Sequence, residues 1–195
     1  MTARIAIFAS GNGSNAEHII RYFKGHKNIS VALVLSNNPQ APVLDRAASH
    51  RVPSLAFTRT QFSENGEVIE WLRRENVTHI VLAGFMWLVP SDMLKAYENR
   101  MINIHPALLP RHGGKGMYGA RVHEAVKAAG DVETGITIHL VNAHYDEGEV
   151  LFRMTCVVDK HDSAQDIADK VHALEYKYYP TVIEDWILKD QASTA

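Results

Sequence analysis

One cysteine, Cys156, stands among 195 residues. It excludes an internal disulfide, so the fold must be held by packing, and a reducing, cytoplasmic setting is expected. Excess basic charge is also missing. Lys and Arg number 20 against 22 Asp and Glu, for a formal net charge of −2, which removes the electrostatic basis for a nucleic-acid partner. Long hydrophobic runs are absent. The longest, residues 80–89, is too short to cross a bilayer, and the N-terminus offers only the brief apolar stretch 5–9 with no cleavage pattern, so membrane and secretory readings fall away. What is present suits a globular chain: 46% of residues are hydrophobic, enough for a core, and the length fits a single domain over residues 1–195. Eleven histidines leave both acid–base chemistry and metal binding open.

β-Branched and aliphatic segments recur at residues 4–9, 31–36, 79–83, 101–105, 136–141 and 149–158, and these read as strands. The first three are near-continuous apolar runs, the pattern of strands covered on both faces in a parallel sheet. Helical stripes lie between them. Ile19, Ile20 and Phe23 share one face, as do Val68, Ile69 and Leu72. Val122, Ala125, Val126 and Ala129 repeat with helical spacing and stop at Gly130, while Ile167, Val171, Leu174 and Tyr178 follow a Ser163/Asp166 capping box. The alternation predicts an α/β fold: a doubly wound, mostly parallel sheet with helices on both faces. Residues 110–119, with four glycines, read as a mobile loop.

Two segments carry chemistry. Residues 10–16 (SGNGSNA) leave the first strand and open a helix, where backbone N–H groups and the positive helix end converge on a place for an anion. A tight turn with Ser14 and Glu17 as a capping box would use overlapping groups. The spacing Gly11, Gly13, Ala16 also fits the dinucleotide fingerprint. The second strand, however, ends in Ser36, Asn37 and Asn38 without the acidic residue that a ribose would require, which favours a phosphate-bearing substrate over a nicotinamide dinucleotide.

The other segment, NIHPALLP at 103–110, leaves a strand at its carboxyl end, where open α/β sheets build their sites. Strand alternation puts Asn103 and His105 on one side, an amide donor beside an imidazole. The pair suits a reaction in which a carbonyl oxygen gains charge and a nitrogen exchanges a proton. Asp146, in the turn 144–148, is a carboxylate that would hold the imidazole tautomer and raise its pKa if it faces His105; it is equally a β-turn residue ahead of Gly148. His112, His123, His139, His144 and His161 keep a metal alternative open, but they lack zinc-ligand spacing, and no metal is expected.

Taken together, GNGSN at 11–15, LAGFMWLV at 82–89, INIHPALLP at 102–110 and GITIHLVNAHYDEGEV at 135–150 resemble, in order and over nearly the whole chain, the folate-dependent formyltransferases, and within them the phosphoribosylglycinamide formyltransferase family. The resemblance implies a Rossmann-like formyltransferase fold and formyl transfer from 10-formyltetrahydrofolate to the amino group of 5-phosphoribosylglycinamide in purine biosynthesis. It implies Asn103, His105 and Asp146 as the catalytic set. Gly13, Ser14, Asn15, Pro106 and Glu175 would meet the ribonucleotide, and Met86, Trp87, Leu88, Val89 and Asn103 the folate. The chain departs from the family pattern at Ala107, where serine is common, at Trp87, where arginine is frequent, at Glu149, where proline is common, and in the glycine-rich loop 113–119.

Rival readings are a methionyl-tRNA formyltransferase, which carries a further C-terminal domain and a basic surface, and a formyltetrahydrofolate hydrolase, which typically carries an N-terminal regulatory domain where this chain opens its first strand at Arg4. A nucleotide-sensing module without catalysis would keep GNGSN but would not need Asn103, His105 and Asp146 together.

Overall fold

A computed structural model describes residues 2–194, and the side chains of residues 2–192. Seven strands form one sheet: β1 (Ala3–Phe8), β2 (Ile29–Ser36), β3 (Ser54–Ala56), β4 (His79–Leu82), β5 (Met101–His105), β6 (Glu133–Leu140) and β7 (Val150–Val157), in the spatial order β3-β2-β1-β4-β5-β6-β7. The first five run parallel, while β6 and β7 close the sheet as an antiparallel pair.

The chain winds outward from β1 in both directions, so the connections leaving β1 and β4 diverge. That opens a crevice at their carboxyl ends, the usual ligand position in such sheets.

The continuous apolar runs are explained by burial on both faces. Ile5 and Ile7 join one core with Val81, Ile102 and Ile138, while their neighbours Ala6 and Phe8 join another with Leu33, Leu35 and Ile80. Helices α1 (Ser14–Tyr22) and α2 (Pro42–Ser49) and the long α7 (Ala164–Thr194) contribute to the first core. Helices α3 (Arg59–Ser63), α4 (Glu67–Arg74) and α5 (Ser91–Ala96) contribute to the second. Helix α6 (Ala120–Ala129) ends at Gly130, which is left-handed as expected of a C-cap (φ 67°).

Some local expectations fail. Helices α3 and α5 and strand β3 are too short to show a period in the sequence, and α2 turns only Val43 and Ala47 to the core. The Ser14/Glu17 capping box does not form: Gly13 is the N-cap, and Glu17 instead pairs with Arg46, Arg21 and His50. The Ser163/Asp166 box does form, with reciprocal bonds of 2.8 Å and 3.1 Å. Helix α7 continues through Pro180 because Tyr179, Ile183 and Ile187 keep the helix seated in the core on either side of it.

Candidate active site

The glycine turn is shaped by α2. Gly13 adopts φ 74°, and a Cβ there would stand 2.3 Å from Val43 Cγ2, so both the backbone angle and the close approach of α2 require glycine. The Val43 N–H donates to the Gly11 carbonyl at 3.2 Å, and Arg46 donates to the Asn12 carbonyl and side chain at 2.8 Å and 2.9 Å. Ser10 ties the turn to the loop after β4, since its N–H reaches the Gly84 carbonyl and its hydroxyl accepts from the Met86 N–H at 3.0 Å.

This turn lines a cleft of about 300 Å³. Gly13, Ser14, Asn15 and Glu175 share its wall with Asn103, His105, Pro106 and Asp146, and the half-exposed Met86 also borders it. Trp87, Leu88 and Val89 line a second recess of about 50 Å³, and Asn103 and Asp146 belong to the walls of both. The apolar segment 86–89 is therefore divided: Met86 faces the larger space and the other three the smaller. The segment lies in the loop beyond β4 and its burial alternates: Met86 and Leu88 are 43% and 40% exposed, whereas Val89 is buried in the second core with Trp87 packed against it. The guanidinium of Arg59 lies 4.1 Å over the Trp87 ring, a cation–π contact.

Antiparallel pairing of β5 with β6 sets Asn103 opposite His139 and His105 opposite Thr137. The Asn103 amide donates to His139 Nε2 at 3.2 Å and reaches Asp146 Oδ1 at 3.4 Å. His139 Nδ1 stands 2.8 Å from the Leu140 carbonyl; a carbonyl only accepts, so Nδ1 carries the hydrogen and Nε2 is the acceptor. The same logic applies to His105. Its Nε2 lies 2.7 Å from the His112 carbonyl and donates to it, and its Nδ1 faces Asp146 Oδ2 at 3.4 Å.

Asp146 comes from the β6–β7 turn with φ 57°, and its Oδ2 accepts the Gly114 N–H at 2.9 Å. Gly148 permits this turn to fold tightly: a Cβ there would fall 1.6 Å from the Leu140 carbonyl oxygen.

Electrostatics corrects one expectation. Burial lowers the pKa of His105, and it outweighs the Asp146 charge and the bond to the His112 carbonyl, which both act upward. Burial thus shifts His105 toward the neutral form, against the imidazolium that its facing carboxylate favours. For Asp146, burial acts upward, but the adjoining imidazoles of His139 and His105 and the hydrogen bond from the Gly114 N–H together hold it below the ordinary carboxylate value.

Glu175 sits in the core-facing row of α7 and accepts from the Asn15 amide at 2.9 Å. Burial pushes its carboxyl up. Three further histidines were not singled out as site residues. His139 is brought in by strand register, whereas His123 and His172 line the cleft from α6 and α7. His123 is 3% exposed, and its Nδ1 is buried without a partner among the described residues. It shares the buried face of α6 with Val122 and Val126, one position off the stripe that the sequence shows. No group of three or more His, Cys, Asp or Glu among the described residues is placed to hold a metal ion, and no helix among them is long and apolar enough to cross a membrane.

Comparison with known proteins gives a consistent result. The Formyl transferase family matches residues 3–183. Phosphoribosylglycinamide formyltransferase of Bacillus subtilis is 38% identical over 186 residues, covering 93% of each chain. The chloroplastic enzyme of that name from Arabidopsis thaliana is 36% identical over 92% of this chain, which spans 64% of its length. The crystal structure of phosphoribosylglycinamide formyltransferase from Streptococcus pneumoniae TIGR4 superposes with a TM-score of 0.84 at 34% identity, covering 96% of this chain and 99% of that one. A sheet that brings an amide, an imidazole and a carboxylate to the junction of two recesses, in a chain matched nearly end to end, belongs to the formyl transferase family.

Proposed function

We propose that this enzyme transfers the formyl group of 10-formyltetrahydrofolate to the amino group of 5-phosphoribosylglycinamide, the reaction of purine biosynthesis named for its relatives. The observation that carries this reading is the position of Asn103 and Asp146 in the shared wall of the two recesses, with His105 beside them. The ribonucleotide occupies the larger cleft. Its phosphate meets the N–H groups of Gly13, Ser14 and Asn15 at the start of α1, its ribosyl part lies toward Glu175 and Pro106, and a hydroxyl of the bound ligand supplies the missing partner of His123 Nδ1. The folate ring enters along Trp87, Leu88 and Val89, with Met86 on the rim, and its formyl group reaches Asn103.

The amine nitrogen attacks the formyl carbon, a C–N bond forms, and the carbonyl oxygen becomes an oxyanion that accepts from the Asn103 amide. The contact of that amide with Asp146 is long enough to be exchanged for the ligand oxygen. Neutral His105 takes the amine proton at Nδ1, with Asp146 stabilising the imidazolium that results, and delivers it to the folate nitrogen as the second C–N bond breaks. A lowered resting pKa suits this role, because the imidazole must accept a proton before it donates one. No metal takes part, no nucleic acid or membrane partner is required, and a cytoplasmic location agrees with the free thiol of Cys156.

The test is an assay of the purified protein with 10-formyltetrahydrofolate, with and without 5-phosphoribosylglycinamide, following tetrahydrofolate and formylated ribonucleotide together. Equal appearance of both products, dependent on the ribonucleotide, is expected. Tetrahydrofolate and formate without the acceptor would indicate the hydrolase instead, and binding without turnover a sensing module.

A further inference from the structure

The imidazole of His105 does not choose its own tautomer. Its Nε2 hydrogen is taken by the His112 carbonyl, and this leaves the Nδ1 lone pair toward Asp146 and the cleft. The His112 carbonyl can point there only because His112 has left-handed backbone geometry (φ 54°), which a non-glycine residue holds only when its surroundings impose it.

The side chain of His112 is held by Asp131. The Asp131 carboxylate is 7% exposed and spans two neighbouring side chains of the loop. Oδ2 accepts from His112 Nε2 at 2.6 Å, and Oδ1 pairs with the Arg111 guanidinium. Asp131 is itself fixed by the end of α6, its N–H bonding the Val126 carbonyl at 3.3 Å. Two residues after His112 the same loop gives its Gly114 N–H to Asp146 Oδ2. One short segment therefore supplies an acceptor to His105 and a donor to Asp146, and one buried carboxylate 19 residues beyond His112 holds that segment in place.

We propose that Asp131 is a positioning residue for the transfer: through His112 it aims the carbonyl that fixes the tautomer of His105 and keeps Nδ1 free for the proton of the reaction. The inference rests on the reading of His105 given above, although its structural half can be read without turnover. Asp131 lines neither recess.

A carboxylate that only stapled the loop would affect melting temperature alone. A positioning carboxylate affects the tautomer and the chemical step. The experiment uses the full-length protein labelled with 15N-histidine, with the His105 signals assigned by their loss in His105→Gln, and compares wild type with Asp131→Ala and His112→Phe. Wild type is expected to show the hydrogen on Nε2 of His105. Both variants should show it divided between the two nitrogens, and kcat should fall about 10²-fold, the scale of a misplaced reacting group, with both KM values within about twofold of wild type. The double variant should be no worse than the poorer single one, because both changes break the same link. Asp131→Asn, which keeps the shape and an acceptor oxygen, serves if Asp131→Ala does not fold, and should lie between wild type and His112→Phe. A retained Nε2–H tautomer with wild-type kcat in the folded variants would overturn the proposal, even if melting temperature falls. Absence of formyl transfer by wild type would refute the functional reading, whereas the tautomer comparison would still decide the role of Asp131.

Discussion

The Asn15 side-chain amide donates to the Glu175 carboxylate at 2.9 Å across 160 residues of chain, joining the glycine turn to the core-facing row of α7. That carboxylate is 5% exposed, and burial raises its pKa, so the bond to Asn15 is the chief polar contact that makes its position tolerable.

Glu175→Ala should therefore leave the Asn15 amide without its acceptor and loosen the ribonucleotide end of the cleft. The ribonucleotide KM is expected to rise at least about tenfold, equivalent to the roughly 1.4 kcal/mol of one charged hydrogen bond, with little change for the folate. Steady-state kinetics with each substrate varied in turn checks this, and equal effects on both KM values would place Glu175 outside the ribonucleotide end.

Gly13 and Gly11 should behave differently. Alanine at Gly13 needs an unfavourable φ and displaces Val43, so Gly13→Ala should cost about 1–3 kcal/mol of stability. A Cβ on Gly11 meets nothing within 4 Å, so Gly11→Ala should change stability by no more than about 0.5 kcal/mol while projecting a methyl group where the phosphate binds. Urea denaturation together with the ribonucleotide KM separates the two; an unaltered KM in Gly11→Ala would place the phosphate elsewhere.

Asp146 acts upward on the pKa of His105, although burial outweighs it. NMR titration should find His105 below 6.5, its ordinary value, and lower still in Asp146→Asn. With the imidazolium no longer stabilised during transfer, kcat of Asp146→Asn should drop by about 10²–10⁴-fold, the usual worth of acid–base assistance. An unchanged His105 titration in Asp146→Asn would show that the two groups do not interact.

His123 provides a test by acid. Burial first, then the neighbouring imidazoles of His172 and His105, lower its pKa to about 4. The unfolded chain binds that proton near 6.5 and the folded one does not, so the stability from this group is complete above 6.5 and is lost as pH falls toward 4, by roughly 3 kcal/mol. The urea midpoint of wild type should drop more steeply over this window than that of His123→Leu. Parallel curves would assign the acid sensitivity to other groups.

Trp87 should report folate binding. It lines the smaller recess with its ring against Arg59, so titration with a folate analogue is expected to change tryptophan fluorescence in wild type and not in Trp87→Phe. A signal that survives Trp87→Phe would move the pterin to another wall.

Much of the frame was legible because strands and helices write their periods into short stretches of chain. Strand β5 was bounded at residues 101 and 105, and α6 was ended by a glycine whose backbone angle only a C-cap explains. Glu175 was legible in principle. Residues 167, 171, 175, 179, 183 and 187 recur every four positions, and all six are buried, so a carboxylate in that row signals a demand beyond packing. The stripe through Leu174 and Tyr178 concealed it, since these residues lie partly buried beside the core-facing row.

Local pattern alone determined that this chain makes a doubly wound sheet, that a glycine turn opening a helix follows its first strand, and that Asn103 and His105 share one side of a strand, because each of these depends on neighbours a few residues apart. Tertiary structure decided what those groups can do. The β5–β6 register brought His139 to Asn103, the β6–β7 turn brought Asp146 to His105, and the close approach of α2 made Gly13 obligatory. The charge of His105 was decided there as well: a pKa is a balance between desolvation and the fields of surrounding groups, and neither exists until the chain has folded around the ring.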